Sequence, residues 1–234
     1  MQKQFKANSS YNLAGFFFLV LFLCIPLAFY KTYFSIFPKF TAGVQNSAVI
    51  HFHAAVSFLW IVLLILQPML IRYKKVRVHR LIGKFTYVLA PLLVLSFISL
   101  MVTFYRERGM SAQPFGEVLQ HFYFQIAHTL IFSTFYILAV VNRKIIGRHA
   151  GYMIATGLIF INPMLRRVFT NGFNLSFTVA ETIALLVTDL AVISLLLFAR
   201  RRHLNYKLYY IILATFLVYQ IPMFIMIYIL YPGM

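Results

Sequence analysis

The stretch HFHAAVSFLWIVLLILQPMLIRYKKVRVHRLIGK, residues 51–84, decides how the rest of the chain is read, because its layout returns seventy residues later. His51-Phe52 is followed 28 positions on by His79, and His121-Phe122 is followed 28 positions on by His149. In each copy the two histidines are separated by an apolar run long enough to cross a bilayer. A short basic segment, KKVRVHR or RKIIGRH, precedes the second histidine. The pattern is a repeated helical hairpin with histidines at both membrane faces.

Composition places the whole chain in the same class. Of 234 residues, 62% are hydrophobic and only 11% charged, and the mean hydropathy is +0.85. A hydrocarbon core needs roughly 20 apolar residues per spanning helix, and the sequence supplies that several times over. The expectation is one all-α domain over residues 1–234, a polytopic helical bundle in a cell membrane, most simply a bacterial inner membrane. The formal charge of +17 sits in short loops between apolar runs, which marks topology and lipid headgroup contact rather than nucleic acid. Cys24, the single cysteine, lies within the first apolar run, so there is no disulfide framework to read. The amino end carries Lys3 and Lys6 before a long apolar stretch without a small-residue cleavage site, and is read as a retained anchor.

Seven spanning helices are expected, at about 12–34, 47–72, 80–105, 118–142, 148–168, 175–200 and 207–231. Asn162-Pro163 interrupts the fifth, since proline removes a backbone donor and bends the helix. Lysines and arginines divide unequally between alternate sides. The amino end and the second, fourth and sixth loops carry Lys74, Lys75, Arg77, Arg143, Lys144, Arg148 and Arg200 to Arg202 among others, against Lys31, Lys39, Arg106, Arg108, Arg166 and Arg167 opposite. The amino end is therefore expected inside and the carboxyl end outside.

With that topology His51, His53, His121 and His128 fall in the outer half of the second and fourth helices, and His79 and His149 begin the third and fifth at the inner face. Residues two apart on a helix point about 200° from one another, so His51 and His53 cannot easily serve one ligand. His53 shares a face with Ser57, Trp60 and Gln67, and His121, Gln125 and His128 form a polar stripe at i, i+4 and i+7. Polar side chains in a spanning helix face the bundle interior, which favours His53; the repeat spacing favours His51, and the choice stays open. Imidazoles from facing helices are the axial arrangement of a b-type haem. The expected cofactor ligands are thus His53 or His51 with His121 or His128, with His53 and His128 as the iron-binding pair. A second pair, His79 with His149, is a sharper alternative to a basic topology loop, with Gly83 or Gly151 allowing close helix packing.

The sixth helix adds Glu181 and Asp189, each costly to bury when charged, about 2.5 to 3.5 kcal/mol at a helix centre for aspartate on insertion scales. Glu181 is expected to pair with Arg166 or Arg167 across a short loop, and Asp189 to lie at the depth of Gln220. Gln125, Asn162, Arg166, Glu181, Asp189 and Gln220 then define a polar path, either a clasp that fixes packing or a route for protons, ions or a small solute. A zinc or copper site from His51, His53, His121 and Glu181 suits those ions chemically, but the HxH pair would require unwound backbone. Phosphate loops, Ser-His-Asp arrangements and metalloprotease motifs are absent from the sequence.

The HFH, the HRLIGK and the later GRHAGYMIATGLIFINPMLRRV resemble a group of uncharacterised bacterial multipass proteins, over about residues 45 to 170. More distantly, histidines on four consecutive helices are similar to the transmembrane two-haem cytochrome b family, which passes electrons from ascorbate or a quinol across the bilayer. That resemblance implies haem b, a quinol or other redox partner, and the pairs already named. The leading expectation is a membrane redox protein; the alternatives are a transporter or small-ligand channel, and a structural or assembly role. Whether the protein is an enzyme, and its oligomeric state, do not follow from the chain.

Overall fold

The structure, a computed structural model, describes residues 2–36, 47–107, 112, 115–225 and 228, with the backbone alone for 2–13, 47, 107, 115–117 and 119–121. The described residues form helices α1 (Gln2–Phe29), α2 (Ser47–Arg72), α3 (Val76–Glu107), α4 (Phe115–Val141), α5 (Ile146–Leu158), α6 (Ile161–Arg167), α7 (Phe177–Arg201) and α8 (Tyr206–Phe224). Five of them hold segments long and apolar enough to cross a membrane: Ala48–Arg72, Val76–Arg106, Phe122–Val141, Phe177–Arg201 and Tyr206–Phe224. Their outward faces carry leucine and valine, with Leu81 70%, Val218 65% and Leu130 63% exposed. A protein in water would bury such a surface; a lipid-facing one leaves it outside.

Two hairpin turns close by the same device. After α2, the Lys75 amide donates to the Leu70 carbonyl and the Lys74 amide to Ile71, with Lys74 at φ 58. After α7, the Leu204 amide donates to Ala199 and the His203 amide to Arg200, with His203 at φ 53. These are six-to-one and five-to-two closures around a left-handed residue. They satisfy the terminal carbonyls in basic turns that therefore stay short.

The expected fifth helix is the centre of the bundle, and it is broken. α5 and α6 are separated at Ile159-Phe160, just before the Asn162-Pro163 pair, and the chain then runs through a wide π-turn at Val168–Gly172. Proline 163 has no amide to donate back one turn to Ile159, so the helix cannot run straight through. Tyr152, Ile154, Ala155, Leu158, Ile159, Ile161 and Met164 are all buried, and α5 packs against α1, α2, α4 and α8 while α6 packs against α1 and α7. A helix buried on every side needs small residues where neighbours cross. Gly157 meets Phe18 of α1 and Leu64 of α2, and Gly151 meets Leu208 of α8. The glycine expectation therefore holds for Gly151 and not for Gly83, which faces open space.

The helices equivalent under the hairpin repeat, α2 and α4, do meet, but through aromatic rings. Trp60, fully buried, lies edge-on to Phe132 at 5.0 Å and to Tyr136 at 5.6 Å. Phe97 of α3 extends the stack, 6.3 Å from Phe132 and 6.5 Å from Phe160. Helix ends otherwise follow the sequence reading closely for α2, while α1 begins earlier and α3 and α5 begin before their histidines. The far end of the last expected helix lies partly outside the described residues.

Candidate functional site

The buried charges converge where the broken helix meets α7. Glu181 on α7 is fully buried. Asn162 on α6 donates from Nδ2 to Glu181 Oε1 at 2.6 Å. Arg166, one turn further along α6, sets Nε 3.1 Å from Oε2 as an ion pair rather than an aligned hydrogen bond. The kink before Pro163 brings both partners onto the face that meets α7; their spacing of four residues stacks them on one side of the helix.

Further polar groups lie on α4, α6, α7 and α8. Arg167 donates from Nη1 to the Pro163 carbonyl at 2.9 Å and covers the Phe29 ring of α1, with the guanidinium carbon 4.8 Å from the ring centre. Arg166 likewise covers Phe177, at 5.1 Å. Flat cations on aromatic faces keep their edges available for acceptors. On α8, Gln220 Nε2 donates to Asp189 Oδ1 at 2.9 Å, the depth match that the sequence implied. The preceding residue, Tyr219, accepts through its backbone carbonyl from Tyr123 Oη of α4 at 2.7 Å. His128 of α4 lies between Phe124, 6.0 Å away, and Tyr219, 5.6 Å away.

The other histidines are distributed differently from the expected ligand pairs. His53 is held in the seam between α2 and α3: Nδ1 is 3.0 Å from Ser96 Oγ and Nε2 3.4 Å from Ser57 Oγ, with Phe97 against the ring. His51 instead meets Tyr33 Oη at 2.8 Å, at the connection from α1. So of the two it is His53 that turns toward α3, but both its ring nitrogens are taken by serines. The described contacts of His53 and His128 are with different neighbours, Ser96, Ser57 and Phe97 for the first and Phe124 and Tyr219 for the second, and Trp60 and Phe132 join α2 to α4. The side chain of His121 lies outside those described. Gln125 is half-buried on the same helix. Among the described residues, no three His, Cys, Asp or Glu side chains come together as a metal site, which corrects the zinc or copper grouping as far as His51, His53 and Glu181 are concerned.

The inner histidines obey the repeat. His79 is the fourth residue of α3 and His149 the fourth of α5. His79 Nδ1 lies 3.3 Å from the Gln67 carbonyl of the preceding helix, and His149 Nδ1 2.9 Å from the Ala139 carbonyl of its preceding helix. Both rings thus clasp their hairpins through Nδ1.

Sequence reading missed Tyr219, Tyr123 and the stacking of Arg167 on Phe29. One signal was available: GYMIATG, residues 151–157, places small residues at 151, 155 and 157, which marks a helix crowded on several sides and hence the centre on which polar partners converge.

Fold and site together define an all-helical bundle of the multi-pass membrane type, with an ion pair enclosed on an interrupted helix. No family model, curated protein or solved structure matches this chain.

Proposed function

We propose that this protein is a seven-span carrier for a small organic anion, amino end inside, with its solute site on the broken helix α5–α6. The observation that carries the reading is the fully buried Glu181 carboxylate held by Asn162 and Arg166 beside a second arginine. Two guanidiniums against one carboxylate leave an excess positive charge, and an intramembrane charge cluster of this cost is a functional site by default. Irregular backbone at membrane depth is tolerated where it is enclosed by protein or lines a solute path, and interrupted helices hold the solute in several carrier folds. Gln125, Asp189 and Gln220 extend the polar path toward α4 and α8.

Purified protein in liposomes is expected to take up radiolabelled pyruvate saturably, and Arg167→Gln to lower that uptake at least tenfold. Uptake no faster than in protein-free liposomes, with no organic anion raising the protein's melting temperature, overturns the carrier.

A second reading, electron transfer through b-type haem with a membrane quinol as partner, is favoured by the inner histidines alone. An imidazole whose Nδ1–H donates to a carbonyl presents Nε2 as a ligand in fixed orientation, and His79 and His149 share that arrangement. Under this reading, protein expressed with ample haem shows a Soret band that His79→Leu or His149→Leu removes and His53→Leu leaves in place. A colourless protein ends it.

A further inference from the structure

Helix α7 carries two carboxyls in opposite settings. Glu181, in its second turn, is fully buried, with Arg166 at Oε2 and Asn162 on Oε1. Asp189 stands twelve residues from Phe177 and twelve from Arg201, so it is the midpoint of that span, roughly 18 Å along the axis from either end. Its hydrogen-bond partner is neutral: Gln220 Nε2 of α8 donates to Oδ1 at 2.9 Å.

Among the described residues no cation pairs with Asp189. The elements packed against α7 are α6, the π-turn and α8. On α6, Arg166 is paired with Glu181 and Arg167 is bonded to the Pro163 carbonyl. The π-turn Val168–Gly172 holds no titratable side chain. On α8 the tyrosines, Tyr219 included, are neutral phenols, and Lys207 is thirteen residues from Gln220, roughly 20 Å along the helix. Glu181 itself is eight residues from Asp189, roughly 12 Å.

Asp189 also borders the lipid-facing side. It is half-buried, while Leu186 one turn before it, Leu190 beside it and Ile193 one turn after it are all exposed. A carboxylate at the middle of a span, with neither a counter-charge nor bulk water, is among the costliest groups to place there. The neutral acid avoids that cost and keeps its hydrogen bond, since its carbonyl oxygen still accepts from the amide.

We infer that Asp189 is a proton-binding site within the membrane, held as a neutral acid against Gln220, while Glu181 remains an anion beside Arg166. The proton site stands on α7 and α8 alone. Its use rests on the carrier reading: a proton entering with each organic anion removes the net charge from the transport step.

The test treats the full chain in liposomes with dicyclohexylcarbodiimide, which forms a stable adduct with protonated carboxyls in apolar surroundings, and locates the adduct by peptide mass spectrometry. At mildly acidic pH the adduct is expected on Asp189 in excess over Glu181, to fall away as the pH is raised, and to be lost in Asp189→Asn. No adduct on Asp189, as much on Glu181, or an adduct as abundant at high pH overturns the proton site. In parallel, a pH-sensitive dye in the lumen is expected to report acidification as pyruvate enters, beyond that in protein-free liposomes, and Asp189→Asn to abolish it. Pyruvate uptake without acidification overturns the coupling. An adduct on Asp189 without uptake leaves the proton site and removes the carrier, whereas uptake without the adduct does the reverse.

Discussion

Arg166→Leu is expected to lower the stability of the protein in detergent by about 3–5 kcal/mol, the cost of removing one partner from a buried ion pair. The direction follows from which charge is left behind. Glu181 is fully buried, whereas the Arg166 side chain is 27% exposed, so losing the arginine strands the group that has no route to solvent. Asn162 still donates to Oε1, but a neutral amide does not neutralise a carboxylate, and Arg167 is turned to the Pro163 carbonyl and the Phe29 ring. The double variant Arg166→Leu/Glu181→Leu is expected to recover most of the loss, because replacing a whole buried pair by apolar groups is often neutral or stabilising. Thermal unfolding of the two variants in the same detergent decides it. A double variant as unstable as the single one would mean that the arginine contributes through packing over Phe177 rather than through charge.

Gly157→Val comes next in expected size, near the top of the range of about 1–3 kcal/mol for overpacking a core. A Cβ at Gly157 would lie 2.2 Å from Phe18 Cε1, 2.5 Å from Phe18 Cζ and 2.8 Å from Leu64 Cδ1. Phe18 is 1% exposed, and its rigid ring meets Phe17 edge-on at 5.3 Å, so it cannot swing aside without moving α1. Phe18→Ala in the same chain is expected to restore much of the melting temperature by making room. Gly151→Ala provides the contrast: its Cβ would strike the Leu208 Cδ2 methyl at 2.2 Å, with the next atom at 3.4 Å. A leucine end turns to another rotamer, so the loss is expected to be the smaller of the two. Equal losses at both glycines would show that the crossing of α1 over α5 is looser than its contacts imply.

Much of the site was readable because charge in an apolar sequence has few places to go. Glu181 had two arginines within reach across a short connection, and Asp189 had Gln220 at its depth; both pairs form. The histidines were harder to place. Their spacing gave helix faces and the repeat, and at His79 and His149 the repeat shows in matching Nδ1 contacts. It did not give the neighbours. Ser96, 43 residues from His53, and Tyr219, 91 residues from His128, come into contact only through helix packing. Periodicity assigns a direction to a side chain but not what stands there. The same limit hid the aromatic stack of Trp60, Phe97 and Phe132, since phenylalanine is abundant throughout this chain.

By itself the sequence determined an all-helical chain with spans of membrane length, basic turns between them and a break beside Pro163, because hydrophobic run length, charge placement and a missing amide act locally. Only the tertiary structure decided that the broken helix lies at the centre, that His53 is held by serines, and that His128 meets Tyr219. Those outcomes depend on which helices cross and how closely. Small residues such as Gly157 and large ones such as Phe18 settle that jointly, over long separations in the chain.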